Sequence, residues 1–349
     1  MEGKLPNINF ENRLKPSYPE IITNEQRDSS LIKDEKMKNQ NINLICPIKV
    51  ESRKTNIRTK NHVIDNSQLR SVINRIINYI SKKGHNQIDV PILMERDIQD
   101  GVFIEDNKIF KTTTKSIRYD LTLPLFIYFK ENNIKTRTLS FTEGKVFRVE
   151  EEDESHFSEF NQFEIDIFNP ESIFDDVLIG DYMKEIAKMF FGEDIIELRI
   201  NYRPLTEWLI SLSKISDRQE FYNRLDSLDK EFSNEKCKEI FQDNFEVARN
   251  ILQSSSVEEL ERINIIPKNI VEYFRSYKKL SPNCIIRPLL ARGALYYDGV
   301  VYEMFHPKLG SAIMGGGHGT LFGATRVGAS FGLERLLICI NQTENEKSK

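Results

Sequence analysis

Residues 146–168 read VFRVEEEDESHFSEFNQFEIDIF, and the reading of this stretch decides the fold. Its second half alternates. Phe163, Ile165 and Ile167 fall on one side of a strand, and Phe160, Gln162, Glu164 and Asp166 on the other, because successive side chains in a strand point to opposite faces. Its first half is a short apolar run, Val146 and Phe147, leading into Arg148 and Glu150, and an acidic loop from Glu151 to Ser155 joins the halves. The expected local structure is an antiparallel pair with one apolar face and one face carrying an arginine, an aromatic ring and several acids. An ordinary surface hairpin with a solvated polar face shows the same alternation. This one differs in carrying a Phe on its polar face and in the spacing FRxE, loop, HxxxF.

That spacing resembles motif 2 of the class II aminoacyl-tRNA synthetases. The resemblance implies that Arg148 grips the α-phosphate of ATP, that Glu150 sits near the adenine and that Phe160 stacks on the base. The residue types suit those tasks. A planar guanidinium binds phosphate through two parallel hydrogen bonds, and an aromatic face suits a flat base.

The 349 residues are 39% hydrophobic and 29% charged, enough for a sizeable core in one large or two modest domains. No apolar run approaches a membrane span. The first residues, MEGKLPNINFENRLK, lack an apolar signal core, so a cytoplasmic protein is expected. Cys46, Cys237, Cys284 and Cys339 are scattered without a CxxC pair, and the five histidines form no cluster, so buried thiols are expected and no metal site from protein ligands. A net charge of −4 gives no overall attraction to nucleic acid. Residues 1–60 hold 12 Lys/Arg against 8 Asp/Glu without sustained periodicity and read as a polar, mobile or loosely docked arm.

From Asp65 the pattern sharpens. Leu69, Val72, Ile73, Ile76, Ile77 and Ile80 recur at helical spacing, with a cap candidate in Asp65–Ser67 and a stop at Gly84. A strand is expected over Gln87–Leu93, and the helix–Gly–strand sequence resembles motif 1, the dimer-building segment of the class II enzymes. Residues 101–117 read as a ribbon of short strands. Arg118 to Pro124, RYDLTLP, is similar to the segment with which eukaryotic and archaeal histidyl-tRNA synthetases meet the substrate's α-ammonium, which implies that role for Asp120 and Thr122. Asp120 also suits capping of the helix expected from Leu123. Gln162 and Asp166 are further polar candidates around the amino acid.

Residues 204–283 read as helical, and ISDRQEFYNRLDSLDK (215–230) resembles the helical insertion that histidyl-tRNA synthetases carry between motifs 2 and 3. Next, ARGALYY (291–297) resembles their RGLDYY signature, with Leu295 in place of Asp. The resemblance implies that Arg292 acts beside the α-phosphate and the reacting carboxylate, and that Tyr296 and Tyr297 line the amino-acid pocket, Tyr297 against an imidazole. Where the family has GGRYD, this chain has His318-Gly319-Thr320 after the glycines, a change expected to reshape that pocket. Residues 327–338, VGASFGLERLLI, are similar to motif 3, implying Glu334 as an ATP contact and Arg335 at the γ-phosphate from a helix start.

The resemblance covers roughly residues 65–341. It implies an α+β fold, a class II synthetase-type antiparallel sheet flanked by helices with a helical insertion, without the anticodon-binding domain of the full enzymes. The expected division is an arm over 1–60, a catalytic core over 61–203 and 284–345, and an insertion over 204–283. The implied activity is a ligase reaction that converts histidine or a related amino acid to its adenylate with ATP, Mg2+ arriving on the nucleotide. The chain would be a homodimer whose acceptor is something other than tRNA, such as a partner protein or carrier. The alternative is the regulatory subunit of ATP phosphoribosyltransferase, a histidine-sensing paralogue that also lacks the anticodon domain. Retention of Arg148, Glu150, Arg292, Glu334 and Arg335 favours the ligase.

Overall fold

The computed structural model describes residues 57–58, 63–102, 106–149, 157–192, 196–291, 294–307 and 310–347. The arm read over residues 1–60 lies outside them, save Ile57 and Arg58. Strands β1 (Ile57–Arg58) and β2 (Val63–Ile64) pair antiparallel. Helix α1 (Asn66–Lys82) starts where Asp65 Oδ1 accepts from the Ser67 N–H at 2.8 Å, and it buries Leu69, Val72, Ile73, Ile76 and Ile80. Its exit is turned by Gly84 at φ +88°, a left-handed conformation that glycine adopts without strain.

The continuous strand expected over 87–93 is broken. β3 (Asn86–Gln87) joins the main sheet, while β4 (Leu93–Glu95) pairs with β5 (Lys115–Ile117). Between them Pro91 has no N–H for a ladder. The carbonyls beside it are taken instead by Arg118, whose Nη1 donates to Val90 O at 2.7 Å and whose backbone N–H donates to Ile92 O at 2.9 Å. Of the ribbon of short strands expected over 101–117, the described residues form one 3-10 turn at Asp106–Lys108 and β5, which Lys111 meets in an antiparallel bridge at Ser116.

Helix α2 (Thr122–Glu131) leads to the long strands β6 (Thr138–Phe147) and β7 (Glu159–Phe168), then to α3 (Ile173–Phe191) and β8 (Glu197–Tyr202). Six helices follow: α4 (Arg203–Leu212), α5 (Arg218–Lys230), α6 (Asn234–Phe241), α7 (Phe245–Leu252), α8 (Val257–Arg262) and α9 (Lys268–Leu280). The chain closes with β9 (Ile285–Ile286), β10 (Tyr297–His306), β11 (Ser311–Leu321), β12 (Ala324–Gly332) and α10 (Leu333–Lys347). One eight-stranded sheet runs β3-β6-β7-β12-β11-β10-β8-β9, antiparallel except for its two outermost pairings. The fold is α+β, a mostly antiparallel sheet flanked by helices. No helix of the described residues is long and apolar enough to cross a membrane.

The two faces of this sheet do different things. On the back, Phe163, Ile165 and Ile167 of β7 sit opposite Phe331, Ala329 and Val327 of β12, and all six join one apolar core with residues of α1, α3 and α10. Phe163 stacks between Phe141 and Phe331 at 5.6 and 5.4 Å. On the front, α2 lays Leu123, Leu125, Phe126 and Phe129 into a second apolar cluster with Phe168, Tyr296 and Tyr297. The polar side of the hairpin is therefore not a solvated surface. Gln162 is 2% exposed and Glu164 and Asp166 are fully enclosed. Cys237, Cys284 and Cys339 are buried free thiols; Cys46 lies outside the described residues.

Candidate active site on the front of the sheet

At one end of the front face, Arg148 leaves the tip of β6. Its Nε donates to Tyr119 O at 3.2 Å, and its guanidinium lies 4.2 Å from the Tyr119 ring centre and 5.0 Å from that of Phe160. Two rings and a carbonyl thus fix a half-buried cation whose terminal nitrogens have no acceptor among the described residues. Phe160 packs over Gly332, where a Cβ would stand 3.5 Å from the ring. Glu334, in the first turn of α10, is buried and accepts from the Asn161 backbone N–H at 2.8 Å and from Asn161 Nδ2 at 2.6 Å. Those bonds tie α10 to β7 and bring half-buried Arg335 to the same end. Burial pushes the Glu334 carboxyl up and the Asn161 donors pull it back. Glu150 and Arg292, both read as site residues, lie outside the described residues.

At the deeper end are the acids. Asp120 Oδ1 accepts from the Leu123 N–H at 3.1 Å, so it caps α2 while facing the site. Thr122 Oγ1 donates to Glu164, and Gln162 Nε2 reaches Glu164 Oε2 at 3.5 Å. Between Glu164 and Asp166 lies Arg326 of β12, 2% exposed. Its Nη1 donates to Glu164 Oε1 at 2.8 Å, and its Nη2 stands 2.7 Å from Asp166 Oδ1 in an ion pair not aligned as a hydrogen bond. Several buried polar atoms here have no partner among the described residues: Gln162 Oε1, Arg326 Nε and the hydroxyls of Ser140 and Thr142. Tyr296 and Tyr297 complete the wall, ring centres 4.8 Å apart, over a floor of Gly319 and Gly317. A Cβ at Gly317 would stand 2.9 Å from the Tyr297 ring, and one at Gly319 would stand 2.6 Å from Tyr296 O.

Two carboxyls thus share one buried guanidinium with Asp120 on the same face, and burial dominates the titration of all three acids. It pushes Asp120 up, Glu164 well up with Asp166 adding to the effect, and Asp166 to about 7 with Arg326 holding it down. An acid raised on folding binds its proton in the folded state through a range where the unfolded chain has lost it. Its contribution to stability therefore falls as pH rises from about 4 to about 7. Asp166→Asn is expected to flatten that part of the urea-unfolding stability profile; an unchanged slope would place the titration elsewhere.

His318, expected to reshape the amino-acid pocket, faces the other way. It pairs in register with Val327 and so points to the back, where its Nδ1 lies 2.8 Å from Asp176 Oδ1 of α3, and Tyr273 OH donates to Asp176 Oδ2 at 2.7 Å. The front of that strand belongs to the glycines. Four residues were not read as part of the site. Tyr119 and Asn161 hold Arg148 and Glu334. Arg203, fully buried, donates from Nη1 to Ala291 O at 2.5 Å and from Nη2 to Ala294 O at 3.5 Å, on either side of Arg292. Arg326 is the fourth. Its period-2 place among Val327, Ala329 and Phe331 was the available signal.

Residues 88–218 match the model of the tRNA synthetases class II core domain (F). Over those residues the chain is similar to a class II tRNA synthetase core. Its relatives by sequence are histidine–tRNA ligases. That of Clostridium tetani is 28% identical over 304 residues, 75% of this chain and 69% of that protein. The cytoplasmic enzyme of Arabidopsis thaliana is 25% identical over 334 residues, 78% of this chain but only 35% of that protein. Among solved structures, an ATP phosphoribosyltransferase regulatory subunit/histidyl-tRNA synthetase from Bacillus halodurans superposes with a TM-score of 0.67 at 16% identity, covering 84% of each chain. A histidine–tRNA ligase subunit from Alicyclobacillus acidocaldarius gives 0.65 at 16% identity, over 86% of this chain and all of that one. At such identities the superpositions establish the fold.

Proposed function

We propose that this chain activates an amino acid with ATP. A carboxylate oxygen of the amino acid attacks the α-phosphorus, an aminoacyl-adenylate forms and pyrophosphate leaves. The observation that carries this reading is Arg148, held by Tyr119 and Phe160 with no acceptor for its terminal nitrogens among the described residues, on the same sheet face as the buried acids of the deep end. In this reading Arg148 takes the α-phosphate, Phe160 stacks on adenine, and Arg335 meets the γ-phosphate. Glu150 lies near the base. Arg292 neutralises charge developing at phosphorus, and the carbonyls of Ala291 and Ala294, on either side of it in sequence, are held by Arg203. The nucleotide brings Mg2+, which supplies further charge neutralisation on the phosphates. Asp120, Thr122 and Gln162 receive the α-ammonium. Histidine is the first amino acid to test, because the sequence relatives are histidine–tRNA ligases. The test is amino-acid-dependent ATP–pyrophosphate exchange by the purified chain, abolished in Arg292→Ala.

Because Asp166 titrates near 7, an ammonium entering this acid-rich end is expected to displace a proton. Affinity then rises with pH through that range. Calorimetry in buffers of different ionisation enthalpy should read proton release; none at pH 6.5 would separate the acids from the ammonium site.

A second reading is favoured by the mutual 84% coverage with the Bacillus halodurans protein, whose name includes a regulatory subunit. In it the chain binds histidine and activates nothing. Histidine binding without exchange would select it.

Transfer RNA binding is expected to be weak. Glu150 to Glu154 form a run of five acids in the loop that the family resemblance places near the acceptor stem, and acids there forfeit counterion release. The acceptor is then a partner protein, a carrier domain or a small molecule. Filter binding at low and physiological salt, with and without residues 1–60, tests this, and specific charging of a histidine tRNA would refute it.

A further inference from the structure

We propose that Arg326 determines side-chain specificity at this site: by occupying the Asp166 carboxylate from within the protein, it makes the site accept amino acids with an uncharged side chain and reject those with a positively charged one. The inference rests on the amino-acid reading given above.

The geometry is specific. In register, Asp166 of β7 stands opposite Gly328 of β12, and Gly328 opposite Gly317 of β11. Arg326 lies two residues before Gly328 on the same front face, and its guanidinium folds forward over that glycine. A Cβ on Gly328 would overlap both Arg326 Nη2 and Asp166 Oδ1. The guanidinium therefore lies on the sheet floor beside Asp166, with the Tyr297 ring over the next strand at Gly317. The family resemblance sets Tyr297 against a ligand's imidazole, and the register places Asp166, a polar candidate around the amino acid, across Gly328 and Gly317 from that ring. Here Asp166 already has a cation.

Two consequences follow. A ligand side chain bearing a second cation would sit against a buried guanidinium and compete with it for one carboxylate, a like-charge contact in an enclosed site. An uncharged side chain meets no such opposition. The wall it faces also changes character, from a carboxylate that only accepts to a guanidinium whose Nε–H is buried without a partner among the described residues and can donate. A neutral imidazole or a carboxamide offers the matching acceptor.

The experiment titrates the full chain at pH 8 with histidine and glutamine, uncharged there, and with lysine and arginine. In the wild type, lysine and arginine should bind at least tenfold more weakly than the better of the other two. Arg326→Gln should shrink that ratio at least tenfold, and Arg326→Lys, which keeps a cation, should preserve it. A wild-type ratio near one overturns the inference. So does an Arg326→Gln variant that weakens all four ligands together, the result of a purely structural role. If Arg326→Gln does not fold, the charge-balanced double variant Arg326→Gln/Asp166→Asn replaces it and should lose the discrimination; retained discrimination overturns the proposal. If the wild type binds none of the four and shows no exchange, the activation reading fails separately. Arginine binding gained by Arg326→Ala would then still support the role, and no gain would end it.

Discussion

Arg148→Ala is expected to reduce amino-acid-dependent ATP–pyrophosphate exchange by on the order of 10²–10³, the usual cost of deleting one preorganised charge at a reacting centre. The fold should survive, because Arg148 is half-buried and its side chain makes one hydrogen bond among the described residues, to Tyr119 O, while its backbone bond to Ser158 O is kept by alanine. Arg148→Lys should recover little. An ammonium keeps the charge but not the planar fork that two rings hold flat. Tyr119→Ala is a sharper probe. It removes the nearer ring while leaving the Tyr119 carbonyl, so it loosens the guanidinium without deleting it. A smaller loss, concentrated in kcat, is expected. Exchange unaffected by Arg148→Ala would remove the phosphate role from this residue.

Period-2 alternation alone placed Phe163, Ile165 and Ile167 in the core and the acids opposite them, and the structure keeps that division. What alternation left open was whether the polar side meets water. The answer lay in α2, whose Leu123, Phe126 and Phe129 cover that side beside Phe168. Tyr119 and Asn161 were illegible as supports for another reason. Each acts at short range on a residue distant in sequence, Arg148 and Glu334, and only the packing of β6, β7 and α10 brings them together. The motif string read His318-Gly319-Thr320 as a change that reshapes the pocket, and strand register adds that His318 itself lies behind the sheet with Asp176. Arg326 was legible as a front-face residue, and its two acid partners followed only from the β7–β12 pairing.

The glycine-rich β11 yields the largest expected effect on stability. Gly316 of β11 stands opposite Ala329 of β12. A Cβ there would overlap the Gly328 carbonyl oxygen and stand 2.6 Å from Ala329 Cα. Both neighbours are backbone, held in the middle of an eight-stranded sheet, so neither can rotate away as a side-chain tip does. Relief requires β11 and β12 to separate, which would disturb the Gly328 position under Arg326 and the floor under Tyr297. Gly316→Ala is therefore expected to cost roughly 3 kcal/mol or more, at or above the upper end for overpacking. Gly332→Ala is the control: its nearest neighbours would be the Phe160 ring at 3.5 and 3.6 Å, ordinary contact, and little stability should be lost. Urea unfolding midpoints of the two variants against the wild type make the comparison. Equal midpoints for Gly316→Ala and wild type would mean that β11 and β12 are not packed backbone to backbone at this point.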